Sequence, residues 1–501
     1  MVYAPIPRVC GVLILTCLLD QCYAAVAIGS MTSRRLLATA SEISTCVRQA
    51  GADVVLPGDS GYEAARGHVF NHRNLYKPAA FIFVSSVDQV QNAVKCAVQL
   101  KVGIAPRSGG HSYEDYSLGG RDGVMVVDLG GLNETTLNKA TGLATVGAGV
   151  RLGPMKLALW KQGKRTIPSG TCLTVGVGGH SLGGGWGTTS RKFGLMSDSI
   201  VEAQVVTARG NVVTASAKSN PDLFFALKGA GANSFGIVTR FTFKTFDVSE
   251  KVISFSYDYN ETQQVNVLKA FQKWGFNAPD DVSASLSEFS TGGNGMSGIY
   301  LGSKSKFADV MKPFLSSLPA PTKREELEAD YISTVLQNGG YKATDPSSVL
   351  GLVNVTYPFV TFKSKSIFVK KNGMSDAGVR AYIEALRRGS GYSILDLYGP
   401  TSAINKVPSN VTAFVHRDAL YSIQMFTSWE ESSDASSSIS WIENLWRTAR
   451  RFSSPSAYQN YIDVQMPLSA YYGSNLSKLK TVKKKWDPSN VFRFQQSIPL
   501  S

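Results

Sequence analysis

The sequence predicts an α+β protein of two domains, and three observations predict it. From Cys46 to about residue 250, short strands and helices alternate and are joined by glycine-rich loops. Beyond residue 250 the glycine motifs thin out, and alternating strands and amphipathic helices describe a second domain over 251–454. The last stretch, 455–501, has neither linker nor tail composition and reads as a structured return to the first domain. With 43% hydrophobic and 18% charged residues in 501, the chain is long and apolar enough to bury two cores.

The elements follow in order. Residues 1–27 carry a basic start (Arg8), a short apolar run through Leu13 and Leu19, and small residues near Ala24–Ala27, so they read as a secretory signal peptide. Residues 28–45 read as a flexible lead-in. Ala79–Val84 predicts a buried strand. Ser86 with Gln89 predicts a capping box opening an amphipathic helix whose inner face is Val87, Val90, Val94, Ala97 and Val98. Strands are expected at 124–128, 144–150, 201–207 and 237–243, with a long glycine-rich loop over 166–189. In the second domain, strands are expected at 255–259 and 297–300, and helices at 307–317, 376–388 and 437–452. No later segment is long and apolar enough for a membrane span.

Of six cysteines, Cys10, Cys17 and Cys22 fall in the signal; Cys46, Cys96 and Cys172 remain, which partitions into one disulfide and one leftover thiol. Acceptor sequons at Asn133, Asn260, Asn354, Asn410 and Asn475 suit an extracellular glycoprotein. The net charge of +14 is spread along the chain rather than gathered in a nucleic-acid-binding patch. An acidic cell-wall polysaccharide is the expected loose partner. Lys483-Lys484-Lys485 reads as a solvated helix face.

Two segments carry the chemistry. Arg107-Ser108-Gly109-Gly110-His111-Ser112-Tyr113 follows an apolar stretch. Gly170-Thr171-Cys172 runs on through Val175, Gly176, Gly178, Gly179 and His180 to Gly187. Glycines at this density let backbone amides approach and wrap a ligand such as a pyrophosphate. Neither segment is a dinucleotide fingerprint or a phosphate loop ending in Gly-Lys-Ser/Thr, which argues against NAD and ATP. No metal site is expected.

These blocks, with Phe414-Val-His-Arg417, Tyr458-Gln-Asn-Tyr-Ile-Asp463 and the run Asp487–Phe492, resemble the berberine bridge enzyme-like group of the vanillyl-alcohol-oxidase flavoprotein superfamily. The resemblance runs from about Cys46 to the C-terminus. It implies a two-domain (PCMH-type) fold, with an FAD-binding domain at 46–250, a substrate domain of antiparallel sheet and helices at 251–454, and a family C-terminal segment at 455–501. It implies bicovalent FAD, linked from His111 to the flavin 8α position and from Cys172 to C6. With Cys172 so committed, Cys46 pairs with Cys96. Around the cofactor it places Arg107, Ser108, Gly109, Gly110, Ser112, Gly170, Val175, Gly176, Gly178, Gly179, His180, Gly236, Ile237, Val238 and Asn460.

The resemblance also assigns chemistry. Tyr458 takes the base role, with Asp396 hydrogen-bonded to it; Tyr113, Gln424 and Tyr461 contact substrate, and Tyr113 or Tyr461 is the next base to test. Gln424 stands where alkaloid-cyclising members use Glu, and an amide cannot serve as that base. Val175 lies three residues beyond Cys172, where Val accompanies oxidases and Leu dehydrogenases. Gly399-Pro400 and Val415 depart from the family pattern and leave the local loops open. The expected reaction is oxidation of the anomeric C1 hydroxyl of a mono- or oligosaccharide to a lactone, with O₂ reduced to H₂O₂ by a secreted monomer. The alternatives are oxidation of an aromatic allylic alcohol of the monolignol type, and an extracellular flavin-loaded binding or defence protein with little turnover.

Overall fold

In the computed structural model, the described residues are 38–341, 348–350, 352 and 360–501. The signal segment, the start of the lead-in and the sequon at Asn354 lie outside them. The first helix, Ala40–Arg48, reaches back into the stretch expected to be flexible, and the correction has a local cause. Thr39 and Glu42 form a reciprocal capping box, and Ile43 and Val47 are buried. Cys46, on this helix, is disulfide-bonded to Cys96 on helix Val87–Leu100.

The first half of the chain builds two sheets. One orders the strands Asp53–Val55, Ala80–Phe83, Met125–Asp128 and Ile104–Arg107, the last three of them parallel. Helix Val87–Leu100 makes the crossover between Ala80–Phe83 and Ile104–Arg107. It buries Val90, Val94 and Ala97 but leaves Val98 44% exposed, so Val98 is off the inner face. Ser86 does cap this helix, accepting from the Gln89 amide. The Gln89 side chain, however, receives the N–H of Ser85 rather than that of Ser86. The other sheet orders Thr135–Asn138, Leu143–Gly147, Ile237–Lys244, Ile200–Val206 and Val212–Ser216, all antiparallel.

The second half forms a seven-stranded antiparallel sheet. Its order is Lys323–Asp330, Lys251–Tyr259, Asn294–Tyr300, Val282–Phe289, Tyr392–Leu397, Ala419–Trp429 and Thr361–Lys370. Helices Gln264–Asn277, Asp376–Leu386 and Ala435–Arg450 cover one face through Phe271, Tyr382 and Leu445. The other face is left to line a cavity. Ala457, Tyr471, Leu479, Phe492 and Ile498 of the C-terminal segment pack into the same core as Ile82 and Phe241 of the first two sheets.

That segment corrects one member of the lysine run, Lys484 and Lys485 being exposed as expected. Lys483 is fully buried, and its ammonium donates to Asp487 (2.7 Å), to the Ser234 carbonyl (2.8 Å) and to the Phe492 carbonyl (2.6 Å). Asp487 in turn accepts the amides of Val491 and Phe492. The pair is therefore a satisfied buried clamp that closes the C-terminus onto the first domain. Asn475 is also buried, its amide donating to the Ser409 and Thr412 carbonyls, so this sequon presents no free side chain; Asn133, Asn260 and Asn410 are exposed.

Candidate active site

The two glycine segments meet backbone to backbone. A Cβ on Gly109 would stand 2.2 Å from the Gly176 nitrogen, and one on Gly176 would meet Gly109 and the Ser108 hydroxyl. No side chain can replace either glycine without parting the loops. The stretch expected as an unbroken loop contains one short helix, Val177–Leu182. Around this junction opens a cavity of about 760 Å³, bounded on the far side by the open face of the seven-stranded sheet. That volume suits a bound cofactor with room for a small substrate.

The cavity gathers most of the residues expected from sequence. His111, Cys172, Ser108, Gly109, Gly110, Ser112, Gly170, Val175, Gly176, Gly178, Gly179, His180, Gly236, Val238 and Asn460 line it, as do Tyr113, Gln424, Tyr461, Tyr458 and Asp396. Two expected cofactor residues do not. Arg107 is buried with its guanidinium on Asp128 (2.6 Å) and the Ala65 carbonyl (2.6 Å), where it ties the strands together. Ile237 points into the first core, as its position on strand Ile237–Lys244 dictates. Residues that sequence reasoning missed include Phe70, Trp186, Asn233, Tyr392 and Phe426. Of these, Tyr392 carried a signal: it lies four positions before Asp396 on one strand and shares its face.

The lining fits FAD. Both polar atoms of the Asn233 side chain are buried without a protein partner, and so is the Gln459 Oε1, all at the cavity wall. His111 stacks on Phe70 with ring centroids 4.5 Å apart, and its Nε2 lies 2.9 Å from the Thr174 hydroxyl. Burial first, then the nearby Arg151, His180 and His68, pull its pKa down to about 3. The imidazole is therefore neutral and nucleophilic at any physiological pH. Among the described residues Cys172 is the free thiol, and it opens onto the cavity. Among the described residues no cluster of His, Cys, Asp and Glu could hold a metal ion, and no helix is long and apolar enough to cross a membrane.

The expected Tyr458–Asp396 hydrogen bond is replaced by another arrangement. The Tyr458 hydroxyl oxygen accepts from the Gly185 amide (2.9 Å), the Trp186 amide (3.0 Å) and the Asn460 side chain (3.0 Å), so it anchors the glycine loop. Burial outweighs these donors and raises its pKa to about 12. Asp396 instead accepts from Ser285 (2.7 Å), and its charge acts through space on Tyr461 and on Tyr458. Both tyrosines of the single turn Gln459–Tyr461 and its cap line the same cavity as Asp396. Tyr461 stacks on Tyr113 (5.6 Å, 11°), whose hydroxyl accepts from Gln424 (2.8 Å).

Burial raises the Asp396 pKa to about 7, against the lowering by Ser285 and Tyr461. A carboxyl with a raised pKa is protonated, and unable to accept, below that value. The rate of flavin reduction is therefore expected to climb about tenfold per pH unit below 7 and level off above it. Rapid mixing across pH 5–9 reads this directly, and a profile flat through 7 counts against Asp396 as proton acceptor.

Known proteins resemble this chain over most of its length. The FAD binding domain family matches residues 78–216, and the berberine and berberine-like family matches 457–499. A xylooligosaccharide oxidase of Thermothelomyces thermophilus is 33% identical over 481 residues, covering 91% of this chain and 94% of that protein. The structure of Physcomitrella patens BBE-like 1 is 52% identical, with a TM-score of 0.89 over 92% of this chain and 99% of that one. A glucooligosaccharide oxidase of Acremonium strictum, described as carrying 6-S-cysteinyl, 8α-N1-histidyl FAD, is 28% identical; its TM-score is 0.82 over 91% of this chain and 99% of that one.

Proposed function

The chain belongs to the berberine bridge enzyme-like FAD-linked oxidoreductases, with their vanillyl-alcohol-oxidase fold, and on that premise we propose that it oxidises the anomeric hydroxyl of a saccharide to a lactone, O₂ becoming H₂O₂. As an FAD-dependent oxidoreductase of CH–OH groups it needs a hydroxyl-bearing substrate, and one observation favours a polyhydroxylated one. Paired positions across the sheet set Ser256, Ser297, Ser285 and Asp396 in one row on the cavity face. Ser254, Ser283 and Ser287 flank the row. Such a wall offers donors and acceptors to several hydroxyls at once.

Bound FAD would supply a hydride acceptor for the substrate carbon and a two-electron donor to O₂. His111 and Cys172 are the residues proposed to tether it. The chain's own part is the proton. Tyr461, which shares the cavity with the buried Asp396 and feels its charge, takes the hydroxyl proton, and Asp396 is the acceptor to which that proton passes, so no free phenolate is needed. Tyr458 holds the loop Gly183–Gly187 in place. The base thus moves from the first to the second tyrosine of the motif, because three donors already occupy the Tyr458 oxygen while Asp396 is the foremost charge acting on Tyr461. Gln424 and Tyr113 orient the substrate.

Val175 lies on the cavity wall beside Cys172, and its small side chain suits an oxygen path. Val175→Leu is expected to slow reoxidation by O₂ and leave reduction by substrate near the wild-type rate. Stopped-flow measurement of the two half-reactions separates them, and unchanged reoxidation removes Val175 as support for an oxidase. The signal segment and the exposed sequons support secretion to the cell wall, where the basic surface would meet acidic polysaccharide. A panel of reducing saccharides and cinnamyl alcohols, with product identification, tests the substrate class. Aldonic acid and peroxide are expected; an aldehyde from the aromatic alcohol alone would replace the saccharide reading.

A further inference from the structure

Lys156 is a buried cation that the reaction above does not use. It lies on helix Leu152–Gly163 and is 6% exposed. Its ammonium donates to the Gly170 carbonyl (2.7 Å) and the Ser169 carbonyl (3.3 Å), the residues that lead into Cys172. Among the described residues no carboxylate pairs with it. A buried ammonium without a counter-ion is costly, and such groups are normally paired. The group that interacts favourably with its charge is Cys172. The same helix also fastens the far side of the loop, since the Leu152 and Gly153 amides donate to the Val175 and Leu173 carbonyls. His180, which accepts the Gly170 amide at 2.9 Å, is kept neutral by burial and by Lys156, so it adds no second cation.

We propose that Lys156 is a positioning residue for the Cys172 tether: it clamps the Ser169–Gly170 turn and supplies the positive charge that stabilises the Cys172 thiolate as it bonds the flavin. This rests on the two-tether reading above. In the bond-forming sequence an S–C6 bond replaces the S–H and C6–H bonds. The two protons and two electrons released are taken by O₂, which leaves as H₂O₂. Burial alone pushes the Cys172 thiol up, and Lys156 opposes that push. Without the charge the thiolate fraction falls about tenfold for each unit by which the thiol rises.

The test compares Lys156→Gln, which keeps a donor to the carbonyls, with Lys156→Arg, which keeps the charge, both made in an His111→Ala background so that only Cys172 can hold flavin. Acid precipitation and peptide mapping read the tether without any assay of turnover. Lys156→Gln is expected to release most of its flavin to the supernatant at pH 7, with the tether regained on incubation near pH 9. Lys156→Arg is expected to keep a yellow pellet. Full attachment in Lys156→Gln, or loss of the tether in a folded, flavin-loaded Lys156→Arg, overturns the proposal. Should the unaltered chain carry no Cys172 adduct, the two-tether reading fails. Alkylation of the then-free Cys172 by iodoacetamide still judges Lys156, with about tenfold slower reaction in Lys156→Gln expected and equal rates contradicting it.

Discussion

Tyr461→Phe slows flavin reduction by saccharide about 10²–10⁴-fold, the usual worth of a positioned general base. The ring stays, so its stacking on Tyr113 and its edge contact with Tyr458 survive and the fold is unchanged. What is lost is the hydroxyl proposed to pass the substrate proton toward Asp396. Asp396→Asn is expected to lose activity through the same step, and the double variant to be little worse than either single one, because the two groups move one proton. Tyr458→Phe is the decisive control. It removes the acceptor of the Gly185 and Trp186 amides and loosens the glycine loop, and is expected to cost much less than Tyr461→Phe in reduction rate. Single-turnover reduction ranks the three. A larger loss in Tyr458→Phe would return the base role to the first tyrosine.

His111→Ala together with Cys172→Ala yields a protein whose flavin leaves completely on acid precipitation, whereas each single variant retains it in the pellet. The two residues sit in separate loops that meet at the Gly109–Gly176 contact, so each can hold the cofactor without the other. A buried neutral imidazole and a cavity-facing thiol are the nucleophiles this needs. The two single variants should also differ in spectrum, since each leaves a different substituent on the ring. Peptide mapping of the digested chain locates each bond. Flavin released from the unaltered chain would refute both tethers.

What could be read from the sequence was what local spacing determines. His111 and Cys172 stood out because glycines crowd around them, and crowding of that kind is a chain-local property. The alternation of strands and helices located the elements it named to within a few residues for the same reason, and left unnamed such strands as Val282–Phe289, Thr361–Lys370 and Ala419–Trp429. What could not be read was decided by packing between distant segments. That the Tyr458 oxygen is taken up by the Gly185 and Trp186 amides, and not by Asp396, depends on the meeting of segments more than two hundred and seventy positions apart in the chain. Lys483 looked like a solvated lysine beside two others, yet the C-terminal return buries it against Asp487 and the Ser234 carbonyl. Arg107 shared the flavin-loop motif but lies on the strand that precedes the loop, where Asp128 claims it. Asn475 satisfied the sequon rule and is spent on two carbonyls. The serine row could not be foreseen, because it joins three strands whose register the sequence does not announce.

The central claim is that this cavity oxidises a saccharide and hands the electrons to oxygen. Anaerobic rapid mixing of the flavin-loaded protein with a reducing oligosaccharide, followed by admission of O₂, tests it in one experiment. The account predicts first-order bleaching of the oxidised flavin band, then full recovery with one H₂O₂ released per flavin and the matching aldonic acid in solution. A flavin that stays oxidised in the presence of every reducing saccharide tried, while being bleached by an aromatic allylic alcohol or by nothing, would contradict it.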